Sequence, residues 1–193
     1  MRNIAKRLML SAVALILVGC AQTGQELRLG PTVDVDDSSI GAGHEVAVRV
    51  VDTRDDGGLG ELENRGRDPA RLTSVTGLDD TLQLLLEDML EAYGFDVIAW
   101  NDTADRRLEV QLSDISHTVS SGVIRDVHTQ VELRSRAGRG DSTLTGRTTA
   151  RDRDRISYRP DAEANAAYVD ATLERAMQRL INDDLLAFLT EED

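Results

Sequence analysis

The sequence predicts an α+β domain of two layers, a mostly antiparallel sheet of about four to five strands packed against two helices. Three patterns carry that expectation. Leu78, Leu82, Leu85, Leu86, Met89 and Leu90 recur at steps of three and four and are followed by Gly94, which makes one apolar helix face with a stop after it. Residues 107–158 hold three long runs of period-two alternation with turn residues between them, the pattern of a meander. A second stripe, through Tyr168, Leu173, Met177, Leu180 and Leu185, occupies the end of the chain.

Ahead of the domain stands a leader. Arg2, Lys6 and Arg7 form a basic head, and residues 8–18 are apolar except for Ser11. That run is about half of the roughly 20 residues a membrane-spanning helix needs, so it reads as an export signal. It ends in Leu17-Val18-Gly19-Cys20, which resembles the bacterial lipobox, and Cys20 is the only cysteine in the chain. The resemblance implies that residues 1–19 are a signal peptide, that cleavage falls before Cys20, and that lipid is attached to Cys20. An ordinary secretory signal with a chance cysteine is the alternative. Ala21 stands where an Asp is associated with inner-membrane retention, which points to the outer membrane and its periplasmic face.

Charge narrows the partners. The chain has 22 Lys+Arg against 35 Asp+Glu, a net charge of −13. Arg2, Lys6 and Arg7 leave with the leader, which takes the net charge to −16 and removes the only lysine. Such a balance opposes binding to nucleic acid, and a salt-adapted or GC-rich origin accounts for the arginine bias. With its one cysteine spent on lipid, the chain forms no internal disulfide.

In chain order, residues 20–43 read as a lipidated cysteine and tether with one short extended piece at residues 32–35, and residues 44–193 as a single domain. Val46, Val48 and Val50 alternate in a strand. Residues 52–71, with Gly57, Gly58 and Gly60, read as a long loop, and residues 72–76 as a short strand or turn. Thr76 is a candidate N-cap for the first helix, and Asp79 and Asp80 suit its first turn. A strand follows over residues 95–100. Leu108, Val110 and Leu112 then shift phase to Ile115, His117 and Val119, which asks for a bulge near Ser113 and Asp114. Residues 134–141 read as a hairpin loop. In the third long strand Asp152 and Asp154 share one face, and Arg151, Arg153 and Arg155 the other, so this part is expected to project past the core. Asp161 is placed to cap a helix running from residue 162 to about 189, loosened at residues 182–184.

Motifs of chemistry are weak. Gly57-Gly58-Leu59-Gly60 lacks the lysine and the helix a phosphate cradle needs. His117 and His128 on neighbouring strands, with Asp114 or Asp126, would be the closest approach to a zinc set, but no further ligand stands out. Ser120 and Ser121 near His117 lack a nucleophile elbow. Tyr93, Phe95 and Trp100 cluster where the first helix meets its strand and read as core. Arg151, Arg153 and Arg155 have the chemistry to grip an anion, though a solvated strand face explains them as well. No catalytic, cofactor or metal residue is assigned, and no cofactor is expected.

The order of these pieces has a family resemblance. The lipobox, Pro31-Thr32-Val33, the strand residues 44–50 with Asp52-Thr53-Arg54, the helix leading to Tyr93-Gly94-Phe95, the meander and the final helix together resemble the YajG-like family of Gram-negative lipoproteins. The resemblance covers nearly the whole chain and implies no catalytic residues. The expected role is a periplasm-facing, non-catalytic envelope adaptor or transport-accessory lipoprotein, held to the membrane through lipid on Cys20 and bound to an envelope protein. Two alternatives stay open. A module for lipid or cell-wall fragments requires a pocket between sheet and helices. A wall-turnover enzyme requires paired carboxylates, or a histidine with a nucleophile, in a cleft.

Overall fold

The computed structural model describes residues 23–35 and 37–192, so the leader and Cys20 lie outside the described residues. In chain order the strands and helices are β1 (Gln25–Leu27), β2 (Glu45–Asp52), β3 (Gly58–Leu62), β4 (Ala70–Ser74), α1 (Leu78–Ala92), β5 (Asp96–Ala99), β6 (Arg106–Val119), β7 (Arg125–Arg139), β8 (Ser142–Ile156), α2 (Ala162–Leu180) and α3 (Asp183–Thr190).

The α+β class stands, but the expected architecture is corrected. The described residues form an 8-stranded mixed sheet with three helices, not four to five mostly antiparallel strands with two. The antiparallel meander β6–β7–β8 is its backbone. Along its free edge β6 carries two branches in succession. Residues 107–112 pair in parallel with β2, which pairs in parallel with β5. Residues 117–119 pair in parallel with β3, which leads to β4 and then β1. Between the branches the sheet forks, and the phase shift in β6 falls at that fork, between Leu112 and Asp114.

Three of the missed elements lie where the sequence shows glycine and charge. β3 is Gly-Leu-Gly-Glu-Leu, too short and too glycine-rich to display alternation. Its Gly60 has φ 144, and a Cβ there would lie 1.9 Å from the His117 carbonyl oxygen. Glycine is therefore what lets this strand approach β6. β1 lies within the stretch read as a tether, and the extended piece expected at residues 32–35 is not a strand. The third helix arises because Asn182 breaks the expected long helix: its side chain accepts from the Leu185 N–H at 3.0 Å and starts α3 afresh.

Other local expectations are met in part. Asp161 caps α2 by accepting from the Ala164 N–H at 2.9 Å. Gly94, with φ 86, ends α1 with the Phe95 N–H returned to the Leu90 carbonyl. The N-cap of α1 is Gly77 rather than Thr76, whose hydroxyl meets that of Thr81 instead. The expected hairpin loop at residues 134–141 shrinks to a turn at residues 140–141, because β7 continues to Arg139.

All three helices bury their stripes in one core. Leu82, Leu86 and Met89 of α1, Val169, Leu173 and Met177 of α2, and Leu189 of α3 join Leu108, Leu112, Val131 and Leu133 of the sheet. Residues 28–43 strap this layer. The Gly30 N–H donates to Asp170 at 3.2 Å and the Thr32 N–H to Glu174 at 2.9 Å, both on α2. Farther on, the Gly41 N–H donates to the Tyr93 carbonyl at the end of α1. Among the described residues no helix covers the opposite face of the meander.

Candidate functional site

That uncovered face is the largest feature with chemistry on it. Inward residues of β7, such as Val127, Val131 and Leu133, are buried under α2, so His128, Gln130, Glu132, Arg134 and Arg136 point outward. Register then fixes the rows. Glu109, Arg136 and Thr145 lie side by side, then Gln111, Arg134 and Arg147, then Asp114, Glu132 and Thr149, then Ser116, Gln130 and Arg151. On the outward positions of β6, β7 and β8 arginine outnumbers acid, although the chain as a whole is strongly negative. Most of the acids sit elsewhere: α1 carries Asp79, Asp80, Glu87, Asp88 and Glu91 and no basic residue. The molecule is polarised, with an acidic α1 on one side and an arginine face on the other.

Neighbouring charges hold this face in shape. Glu132 accepts from Arg147 at 2.5 Å and from Arg134 at 3.2 Å, and the Arg147 contact leads in holding its carboxyl below the usual range. Burial pushes Glu109 upward, but Gln111, Arg49 and Arg136 outweigh it and leave the carboxyl below its ordinary value. Arg151 donates to Gln130 at 2.7 Å and Arg155 to Asp126 at 3.0 Å. At the far end the Arg49 guanidinium lies 3.9 Å over the Trp100 ring, beside a shallow hollow of about 250 Å³ edged by Arg107 and Arg136. A wider depression of about 530 Å³ fills the fork. It is floored by residues 113–116 and rimmed by Arg54, whose guanidinium donates two hydrogen bonds to Asp52 and a third to the Gly58 carbonyl. That contact keeps the Asp52 carboxyl low. Both hollows open on the outer face or at the fork, not between sheet and helices where a ligand module would need its pocket.

The long outer edge, β8, is covered in part by side chains of α2. Arg175 and Arg179 of α2 reach over it and donate to the carbonyls of Arg151 and Thr149, each at 3.3 Å. Its charged half does not project past the core as expected, since Asp152 and Asp154 face α2, where Tyr168 donates to Asp154 at 2.6 Å.

The histidines do not converge. His117 is fully buried beneath α2, whereas His128 is exposed on the outer face. Asp114 and Asp126 lie on that outer face too, so the candidate zinc set is split by the sheet, and no metal-binding group of acids and histidines occurs among the described residues. Nor does His117 meet Ser120, whose hydroxyl accepts from the Asp126 N–H.

His117 instead belongs to a buried polar chain whose direction is fixed from one end. The Pro160 carbonyl only accepts, so Gln25 Nε2 donates to it at 3.3 Å and Gln25 Oε1 takes the Asn165 Nδ2 proton at 2.7 Å. Asn165 Oδ1 then accepts from His117 Nε2 at 3.0 Å, and Nδ1 accepts from the Thr129 hydroxyl at 2.8 Å. Burial lowers the His117 pKa, with the Asn165 contact opposing it. The chain joins β1, α2, β6 and β7, and both ring nitrogens are spent in it. Sequence reading missed Asn165 because an asparagine inside an apolar helix stripe carries no motif. Of the expected aromatic cluster, Phe95 is buried and Tyr93 packs against the core, while Trp100 lies on the outer side under Arg49.

Residues 31–190 match the family described as Uncharacterized lipoprotein. The chain belongs to that lipoprotein family. The match is to this lipoprotein family and does not establish the finer YajG-like resemblance. Among solved structures, protein XCC0632 from Xanthomonas campestris, of the family DUF330, is 13% identical, with a TM-score of 0.52 over 86% of this chain and 95% of that one. It shares the fold. A second solved structure, of an uncharacterized protein, is 10% identical over 81% of this chain and 97% of that one at a TM-score of 0.46. No curated protein matches the lipoprotein in sequence. Cys20, the one site residue assigned from the sequence, lies outside the described residues, and no helix among them is long and apolar enough to cross a membrane.

Proposed function

We propose that the protein is a non-catalytic adaptor or transport-accessory lipoprotein, anchored through lipid on Cys20 at the periplasmic face of the outer membrane. It docks an acidic envelope protein on its open sheet face. The observation that carries the reading is the segregation of arginine onto that face in a chain of net charge −13. A flat, pre-paired arginine lattice suits recognition of carboxylates across a broad contact, where charge sets partner choice and encounter rate. The lipoprotein family and the Leu17-Val18-Gly19-Cys20 sequence support the anchor. The strapped edge and the solid helix layer leave the open face as the broadest surface for a partner.

The test is charge reversal. Arg134→Glu with Arg151→Glu is expected to abolish recovery of the partner from native membranes at physiological salt. The native protein should lose that partner as salt rises, because screening at ~1 M shortens the reach of charge to about 3 Å. Retention of the same partner by the reversed variant would refute the reading, as would salt-independent recovery.

A further inference from the structure

The direction of β1 says where the anchor leaves the domain. Gln25 pairs with Leu72, Leu72 with Gly60, and Gly60 with His117, so β1 starts level with His117. β3 runs parallel to β6, and β4 and β1 run the other way. The N-terminal end of β1 therefore points to the end of the sheet where β6 turns into β7. Cys20 is five residues before Gln25. A fully extended leash of that length reaches at most about 18 Å.

That same end shows apolar side chains to solvent. Val123 is 86% exposed and Ile124 62%, both in the turn after β6. Tyr158, 54% exposed, follows the end of β8, whose last residue Ile156 pairs with Arg125. The loop after β3 ends alongside, since Leu62 pairs with Val119, and it presents exposed Arg65 and Arg67. The nearby Glu63 accepts from the Ser121 N–H at 3.2 Å. A pair of aliphatic side chains, a tyrosine and flanking arginines are the composition of a protein edge at a lipid–water boundary.

We infer that the turn at residues 120–124 rests in the bilayer surface beside the anchor, with Val123 and Ile124 among the lipid chains and Arg65 and Arg67 at headgroup depth. The inference rests on lipidation of Cys20. It sets the orientation of the whole domain: the meander stands up from the membrane, and its arginine face looks sideways along the bilayer. The opposite turn, at residues 140–141, stands a full strand length away, roughly 45–50 Å at about 3.3 Å per residue.

The test uses the full chain processed in its host, purified in detergent and reconstituted into phospholipid vesicles. Lipid blocks Cys20, so a thiol placed by Val123→Cys or by Asp141→Cys is the one that takes a nitroxide label. At 123 the label is expected to collide with oxygen more than with a water-soluble nickel chelate, and at 141 the reverse. If the protein stays in the membrane pellet and the 123 label is as open to nickel as the 141 label, the inference is overturned while the anchor stands. Shielding of the 123 label from both reagents overturns it in favour of a protein contact. Recovery of the protein in the soluble fraction overturns the anchor itself, and this inference with it. Val123→Asp with Ile124→Asp leaves the core untouched, and with the lipid in place on both proteins the double variant is expected to be extracted from the membrane at lower detergent than the native chain. Equal extraction counts against the inference.

Discussion

Asn165→Ala should cost the domain far more than an ordinary surface truncation. The residue is fully buried, accepts from His117 Nε2 at 3.0 Å and donates to Gln25 Oε1 at 2.7 Å. Alanine leaves the His117 N–H buried without a partner, a loss of about 1–3 kcal/mol. The contact to Gln25, which water can partly replace, adds about 0.5–1.5 kcal/mol. Alanine's better helix propensity returns roughly 0.5 kcal/mol. The net expectation is about 1–4 kcal/mol, centred near 2.5. Urea unfolding followed by circular dichroism measures it as a lower midpoint at unchanged slope. Gln25→Ala made on top of Asn165→Ala should then cost less than Gln25→Ala alone, because the shared bond is already gone. A loss below about 0.5 kcal/mol, or full additivity of the pair, would refute the clasp as the link between β1 and α2.

Gly60→Ala should destabilise by about 3 kcal/mol or more, since its Cβ meets the His117 carbonyl at a φ of 144, whereas Gly57→Ala, with open space around it, should be near neutral. Hydrogen exchange should show the Gly60 loss concentrated in β1, β3 and β4. Arg175→Ala with Arg179→Ala uncovers the carbonyls of Thr149 and Arg151 on β8, so light scattering should reveal more self-association than in the native chain. Asp170 gives a pH signature. Burial, together with Glu174, raises its carboxyl to about 6 against the Gly30 N–H contact, from an ordinary 3.8. Its contribution to stability is therefore full below pH 3.8 and lost as pH rises through 6. Asp170→Asn should raise the urea midpoint at pH 7.5, and the gain should disappear by pH 4.

How much of this was legible follows from what each residue signals. α1 could be read because six buried side chains repeat at helical spacing and Gly94 supplies the left-handed stop. The meander could be read because β6 and β7 bury alternate side chains, across the slip at Ser113 as well, although β8 buries only Ala150 and Ile156. In the branches β2 and β5 could be read as strands, but β3 and β1 could not. β3 pairs through a glycine whose role depends on the backbone of His117, 57 positions away by number, and β1 is a strand through its parallel partner β4 and not through any alternation of its own. Parallel neighbours leave no mark in local sequence when each strand is only three to five residues long. The arginine face was half visible: Arg151, Arg153 and Arg155 were seen to share a side, but their alignment with Arg134 and Arg136 needs the register. His117 and His128 looked like partners because they lie close in sequence on paired strands, and the alternation of side chains sends them to opposite faces.

The most direct test of the adaptor reading places a photoreactive residue at Thr145, on the open face, and in a second strain at Gln178, on the exposed side of α2, each in the full chain in living cells. The account predicts one dominant protein adduct from Thr145, absent when Arg134 and Arg151 are reversed to glutamate, and none from Gln178. Adducts from Gln178 alone, or a Thr145 adduct indifferent to the reversal, would contradict it.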